Sequence, residues 1–292
     1  MKILYIANGY PDYLCDLVMH GLYNLLEDKL THSCDYFLMY QDKVTKETLK
    51  NIYGRGFTVW GNLPKYLNDN SNLEEKIKKR YFDYIIYGSI HRCQDYLDLV
   101  KENYQNNKIC YLDGEDFQDI WAGYKNDCLY FKRELTFNSK HILPISFSIP
   151  HEKIVKNKQN IKKIKKLADL IPGNAVNRNY IYDNEEDYYQ GYREAYFGMT
   201  FKKAGWDCMR HYEILANYCL PYFPDLGNCP EYTMVNFPKL DILQAKELFE
   251  SNIFDLDKYY EILEKVFDYT KQKLTTIECA KYVLSNLVAI NK

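Results

Sequence analysis

The densest set of residues able to do chemistry runs from Thr200 to Glu213: Thr200-Phe201-Lys202-Lys203-Ala204-Gly205-Trp206-Asp207-Cys208-Met209-Arg210-His211-Tyr212-Glu213. A strand-like run leads through a Lys-Lys loop into a helical pattern. A helix N-terminus offers free N–H groups and a partial positive charge, and Lys202 and Lys203 add full charges, a combination suited to a diphosphate. Trp206, Arg210 and Glu213 recur at i, i+4 and i+7 and are expected on one helix face. Arg210 can fork onto a phosphate, and Glu213 can accept two hydrogen bonds from a ribose diol. The spacing equally fits an Arg210–Glu213 surface pair with Trp206 packed on the core.

Three further places follow expected strand ends, where open α/β sheets bind ligands. Gly9, in Asn8-Gly9, lets a phosphate or sugar approach the backbone, or simply makes a tight turn. His91, in Ser89-Ile90-His91-Arg92, supplies an imidazole that can serve as a general base, or that is simply hydrogen-bonded in a loop. Asp113, Glu115 and Asp116, in Asp113-Gly114-Glu115-Asp116, can position hydroxyls, act as a base, hold a divalent metal or cap the next helix.

These residues need a framework. The chain of 292 residues suggests about two domains, and 47% hydrophobic composition is globular. The 38 basic and 40 acidic residues nearly cancel, so charge gives no argument for a nucleic-acid partner. No apolar run approaches the roughly 18 residues of a membrane span. The start reads as a first strand rather than a secretory signal. Nine Cys with no C-x-x-C pair argue against a disulfide framework or zinc knuckle and fit reduced thiols in a cytosol.

In the first half, strands are expected at 2–7, 36–40, 57–60, 83–87, 109–112 and 142–147. Helices are expected from Leu14 to Leu26, over 73–80 and over 94–104. Alternating strands and helices imply parallel crossover units and an α/β class. Seven lysines between Lys153 and Lys166 mark a boundary that divides the chain into 1–150 and 151–292. They read as contact with an anionic membrane surface or charged acceptor, or as a solvated linker and helix face. In the second half, helices are expected at 184–194 and 207–218, and strands at 195–200 and 220–223. Pro221 argues against a central position for the last strand. The tail from Leu256 to Ile290 reads as two helices broken near Thr275, where Thr275-Thr276-Ile277-Glu278 fits a capping box.

The stretch from Trp206 to Asn217, followed by Leu220-Pro221-Tyr222-Phe223, resembles the donor-site segment of GT-B glycosyltransferases, nearest the bacterial and viral CgeB/YkvP-like group. The stretches 112–116 and 130–134 also look like parts of this group. Tyr218 stands in place of the usual glycine, and Gly205 in place of the first glutamate of many retaining members. The resemblance implies two Rossmann-like domains facing a cleft, with C-terminal helices: an acceptor-side domain at 1–150 and a nucleotide-sugar domain at 151–292. It implies Glu213 for the ribose and Arg210 for the diphosphate, with Lys202 or Lys203 assisting. No metal or other cofactor is expected beyond the nucleotide-sugar co-substrate, and side chains and helix dipoles would stabilise the leaving group. The implied acceptor is a glycan or glycolipid of cell-surface polysaccharide or glycoconjugate synthesis, and the implied setting is the cytoplasm, at the inner face of the membrane. The base is open among Asp113, Glu115, Asp116 and His91. Two other readings stand beside this one: a metal-dependent GT-A-like transferase holding its ion on Asp113 and Glu115, and a non-catalytic nucleotide- or glycan-binding module.

Overall fold

The computed structural model describes residues 1–173 and 181–290. Six strands form one wholly parallel sheet: β1 (Ile3–Ile6), β2 (Leu30–His32), β3 (Tyr84–Tyr87), β4 (Ile109–Asp113), β5 (Leu129–Lys132) and β6 (Ile142–Pro144), in the order β2-β1-β3-β4-β5-β6. Three more, β7 (Lys165–Leu167), β8 (Ala195–Met199) and β9 (Leu220–Tyr222), form a second parallel sheet in that order. The helices are α1 (Tyr13–Leu26), α2 (Lys46–Lys50), α3 (Leu73–Lys78), α4 (Leu97–Asn103), α5 (Glu185–Arg193), α6 (Met209–Ala216), α7 (Lys239–Glu250), α8 (Leu256–Lys273) and α9 (Thr276–Ala289). The expected α/β class, with two parallel sheets and helices at the C-terminal end, is the architecture found.

Parallel sheets are covered on both faces, so the central strands β1 and β3 of the first sheet are apolar runs. Ile3, Tyr5, Ile86, Cys110, Leu112 and Phe131 join one core with α1 and α9, while Leu4, Ile6, Ile85, Tyr87, Tyr111 and Tyr130 join the core on the opposite face. In the second sheet, Tyr188, Tyr189 and Tyr192 of α5 pack with Ala195 and Ile214. Helix α9 returns from the second half to lie along α1. The contact is close: a Cβ at Gly21 would fall 2.0 Å from the carbonyl oxygen of Thr276. His20, on the same helix, is held between Thr276 Oγ1 (2.9 Å) and Glu152 Oε1 (2.7 Å).

Some expectations are corrected. Residues 57–60 form no strand, because Thr58 sits at φ +69°, the left-handed region, which a strand does not use. Residues 36–40 form a 3₁₀ turn at Phe37–Met39, and Tyr40 makes only a single bridge to Leu63. Strands β2 and β5 and helix α7 lie where sequence reading proposed none. Strand β7 falls inside the lysine-rich segment. The structure does bear out Pro221 on an edge strand. It also places the helix break at Thr275, whose hydroxyl caps α9 by accepting from the Glu278 N–H.

Candidate active site

The strand order of the first sheet reverses between β1 and β3, and the chain winds outward on either side of that point. Open α/β sheets bind ligands at such a point, beyond the carboxyl ends of the strands. The loops there carry Gly9 and His91. Gly9 turns at φ +73°, and Asn8 Nδ2 reaches the carbonyl of Arg92 at 3.5 Å. Asp12 caps α1, accepts from Ser89 Oγ at 2.9 Å and lies 3.5 Å from Arg92 Nη1. Burial pushes the Asp12 carboxyl up, against the pull of Arg92.

The acidic turn after β4 divides into three different environments. Asp113 is buried and fully occupied: it accepts from Lys132 Nζ (2.9 Å), Tyr130 OH (2.5 Å) and the Glu115 N–H (3.1 Å), and it lies 3.0 Å from His91 Nε2. Burial raises its pKa, but His91, Lys132 and Tyr130 together bring it below the ordinary value. Glu115 receives both Nε (2.5 Å) and Nη2 (3.2 Å) of Arg92 in a fork. Asp116, more than half exposed, pairs with the buried Arg133. Each carboxylate of the turn therefore has its own cation, and His91 leans on Asp113 while keeping its other ring nitrogen away from that contact.

Arg133 and Glu134 join this turn to the second half. Arg133 donates to the carbonyls of Gly114 (3.0 Å) and Asp207 (2.5 Å) as well as to Asp116. Glu134 accepts from the Trp206 and Asp207 N–H groups at 3.0 and 3.1 Å. Asp207 in turn accepts from the Phe147 N–H at 2.6 Å. Burial pushes the Asp207 carboxyl up to about 6, although Arg133 opposes this. The Lys202–Trp206 loop thus abuts the acidic turn: a Cβ at Gly205 would come within 2.9 Å of Asp116 Oδ1. His211, buried between Thr200 Oγ1 and the Trp206 carbonyl at 2.9 Å each, fixes the loop from inside. Burial lowers its pKa to about 3.

Helix α6 starts at Met209, after an extended Cys208 that makes no side-chain cap. Trp206 therefore precedes the helix and does not share a face with Arg210 and Glu213, correcting the i, i+4, i+7 expectation. It sits under Lys202, whose Nζ is 5.4 Å from the ring centroid. Arg210 is on the helix, and its Nε and Nη1 are buried without a hydrogen-bond partner among the described residues. Burial works against its charge, but Cys208, Tyr192, Tyr188 and Glu213 raise its pKa on balance. Lys203 is near enough to feel it: burial and then repulsion from Arg210 lower the lysine's pKa. Two unpartnered guanidinium nitrogens, a second cation and a helix start without a side-chain cap lie together here, and no ion pair Arg210–Glu213 forms among the described residues.

Glu213 is buried, and both of its oxygens are in use. Oε1 accepts from Thr58 Oγ1 at 2.5 Å and Oε2 from Tyr188 OH at 2.5 Å. Burial raises its pKa, partly offset by these bonds and by Arg210. Thr58 also meets Tyr189 OH (2.5 Å), its N–H donates to Glu185 Oε1 (2.6 Å), and Phe57 stacks on Tyr188. Thr58, Tyr188 and Tyr189 were missed by sequence reading. The adjacent tyrosines behind the Asn184 cap were the available signal, whereas nothing local in the sequence ties Thr58 to Glu213, 155 residues away.

The lysine-rich segment is mostly committed internally: Lys153 pairs with Glu185, Lys158 with Glu264 and Lys165 with Asp169, and Lys163 and Lys166 donate to the Tyr218 and Phe249 carbonyls. Lys156 and Lys162 are exposed. A cleft of about 770 Å³ between this segment and α5 is lined by Lys153, Asn157, Tyr189 and Arg193 among others, but by none of Lys202, Lys203, Arg210 or Glu213. It is separate from the cation cluster. No described helix is long and apolar enough to cross a membrane, and no group of three or more His, Cys, Asp or Glu side chains suited to a metal occurs among the described residues.

No family model and no curated protein matches the chain. Among solved structures, the glycosyltransferase from Rickettsia africae is similar over 100% of this chain and 98% of its own, at 10% identity and TM-score 0.55. Two others are similar over nearly their whole lengths: an α-glucosyltransferase in complex with UDP and a 13-mer DNA containing an HMU base (11% identity, TM-score 0.46), and Anabaena HepE in complex with UDP and glucose (9%, 0.48). At such identities the likeness is one of fold, and the two-sheet α/β fold of this chain is one that a glycosyltransferase uses.

Proposed function

We propose that the chain is a nucleotide-sugar-dependent glycosyltransferase. The observation that carries this reading is Arg210, whose Nε and Nη1 are buried with no partner among the described residues, beside Lys203, a second cation. Leaving charged donors unsatisfied in the interior is costly, and an anionic ligand removes the cost. A diphosphate gripped by Arg210, Lys203 and Lys202 at the start of α6 matches that geometry. Glu213 then takes the ribose. It already accepts two hydroxyl hydrogen bonds, from Thr58 and Tyr188, and a ribose diol presents two hydroxyls to exchange for them.

The first half supplies the acceptor side, with 1–150 assigned to the acceptor and 151–292 to the donor. His91 takes the proton from the acceptor hydroxyl, and Asp113 orients the ring and stabilises the imidazolium. The acceptor oxygen bonds to the anomeric carbon, the bond from that carbon to the diphosphate oxygen breaks, and its electron pair leaves on the diphosphate, which the cation cluster stabilises. Asp113 is a positioning residue here, because its oxygens are committed to Lys132, Tyr130 and His91. The GT-A-like reading fares worse on the same ground: Asp113 and Glu115 each face a cation of the chain, Lys132 and Arg92.

We place the chain nearest the CgeB/YkvP-like group on the resemblance of residues 200–223, with a glycan or glycolipid of cell-surface synthesis as acceptor. Contact with the inner face of a membrane rests on Lys156 and Lys162, the exposed lysines of the 153–166 segment not engaged elsewhere. The test is a thermal-shift screen with UDP, GDP, CMP and dTDP sugars followed by a donor-hydrolysis assay, since a ligand of the native state raises its stability. Binding with hydrolysis supports the enzyme, binding without hydrolysis supports the non-catalytic module, and no binding removes both.

A further inference from the structure

Phe117 lies beside the proposed base and has no role in the chemistry above. Its ring meets the His91 ring edge-on, with centroids 5.2 Å apart at 90°. Lys132 Nζ, itself buried in its pair with Asp113, lies over the same ring 5.1 Å from the centroid. A cation over the π-face and an imidazole at the edge fix the ring's orientation. Yet Phe117 remains 45% exposed. Holding a large apolar ring rigidly in water confers no folding advantage, whereas it suits a ligand with an apolar face.

The surroundings select the ligand. Asp116, the residue before Phe117, has a side chain 56% exposed, and a carboxylate accepts hydrogen bonds from hydroxyls. The nearby cations are consumed internally: Arg92 by Glu115 and Asp12, Lys132 by Asp113, and Arg133 by Asp116 and Glu134. None is left to grip a phosphate backbone, so a polyanion is disfavoured. The turn carrying the exposed Tyr10 adjoins the same edge through the Asn8–Arg92 contact.

We propose that Phe117 is the platform of an acceptor subsite for a neutral carbohydrate. The apolar C–H face of a sugar ring stacks on the exposed part of Phe117, and a hydroxyl of that sugar points to His91. This subsite rests on the glycosyltransferase reading for its role, but carbohydrate binding to it does not require turnover.

The test separates the two. Saturation-transfer NMR on the full chain, with a panel of neutral α- and β-linked disaccharides and without any nucleotide, reads the subsite directly. Wild-type is expected to transfer saturation to the sugar C–H protons. Phe117→Ala is expected to weaken binding roughly tenfold, and Phe117→Trp to restore it, with unchanged unfolding temperatures confirming that each variant folds. Absence of saturation transfer across the panel, or equal transfer to wild-type and Phe117→Ala, overturns the subsite. So does Phe117-dependent binding of a single-stranded 13-mer DNA in place of the sugars. Donor hydrolysis by wild-type protein is assayed separately, so a failure there counts against the enzyme reading and leaves the NMR result standing.

Discussion

Thr58 Oγ1 donates to Glu213 Oε1 across 2.5 Å, joining a loop of the first half to the helix proposed to bind the donor. The loop is shaped for this approach, with Gly54, Gly56 and Gly61 all at positive φ around a left-handed Thr58. A ribose seated on Glu213 must exchange with that hydroxyl.

Thr58 and Glu213 substitutions are therefore expected to act in opposite directions. Glu213→Gln should weaken nucleoside diphosphate binding by about 10- to 100-fold, the worth of a charged hydrogen bond. Thr58→Ala should tighten it, because the donor no longer displaces a hydrogen bond. Titration calorimetry measures both, and weaker binding in both variants would make Thr58 a support of Glu213 instead of its competitor.

Arg210 is expected to separate stability from binding. Arg210→Met removes a buried cation with unsatisfied donors, so its unfolding temperature should match or exceed that of wild-type. Diphosphate binding should nevertheless fall by about 100-fold, while binding of the bare nucleoside changes little. Equal losses for nucleoside and diphosphate would assign Arg210 to folding.

His91 and Asp113 should diverge as well. His91→Ala is expected to lower kcat by about 10²–10⁴-fold with donor affinity and unfolding temperature nearly unchanged. Asp113→Asn leaves Lys132 charged and buried without its counter-ion, so it should destabilise the fold by about 3–5 kcal/mol. A stable, active Asp113→Asn would contradict the supporting role. Full activity in His91→Ala would move the base elsewhere.

Because Asp113, Glu115 and Asp116 are each paired with Lys132, Arg92 and Arg133, exhaustive EDTA treatment is expected to leave the initial rate of transfer unchanged. A loss restored by Mg²⁺ or Mn²⁺ would revive the metal-dependent reading.

Acid sensitivity should trace in part to His211. Its pKa is about 6.5 when unfolded and is lowered by burial to about 3 in the fold. Between those values the unfolded chain binds a proton that the native state refuses. Stability therefore falls as the pH drops through this window, by about 1.4 kcal/mol per unit. Urea midpoints at pH 7, 6, 5 and 4 should decline more steeply for wild-type than for His211→Gln. Parallel declines would place the sensitivity in other groups.

What could be read in advance was what the local sequence dictates. The apolar runs of β1, β3 and β4, the capping residue Thr275, and the helix carrying Arg210 and Glu213 all announce themselves within a few residues. Non-local determinants did not. Thr58 sits in a run, Phe57-Thr58-Val59-Trp60, whose composition is that of a strand, but glycine-flanked left-handed backbone and bonds to Glu185, Tyr189 and Glu213 override that propensity. Strand β7 is charged because only three residues pair along one edge of a small sheet, so its alternation is too short to see. The division of labour within Asp113-Gly114-Glu115-Asp116 depended on Lys132 and Arg133 of the neighbouring strand and its end, a pairing that only the sheet order supplies.

The seating of α9 on α1, with Gly21 against Thr276, bears on the order in which the molecule can assemble. All six strands of the first sheet leave the ribosome by residue 144, yet α1 keeps an uncovered apolar flank until residue 289 has emerged. A nascent chain of intermediate length carries a paired sheet with one helix unshielded and His20 lacking Thr276, the kind of species that chaperones bind. Ending the chain before Thr276 would leave every strand in place and still produce a protein prone to aggregate, because what it loses is the cover of its first helix.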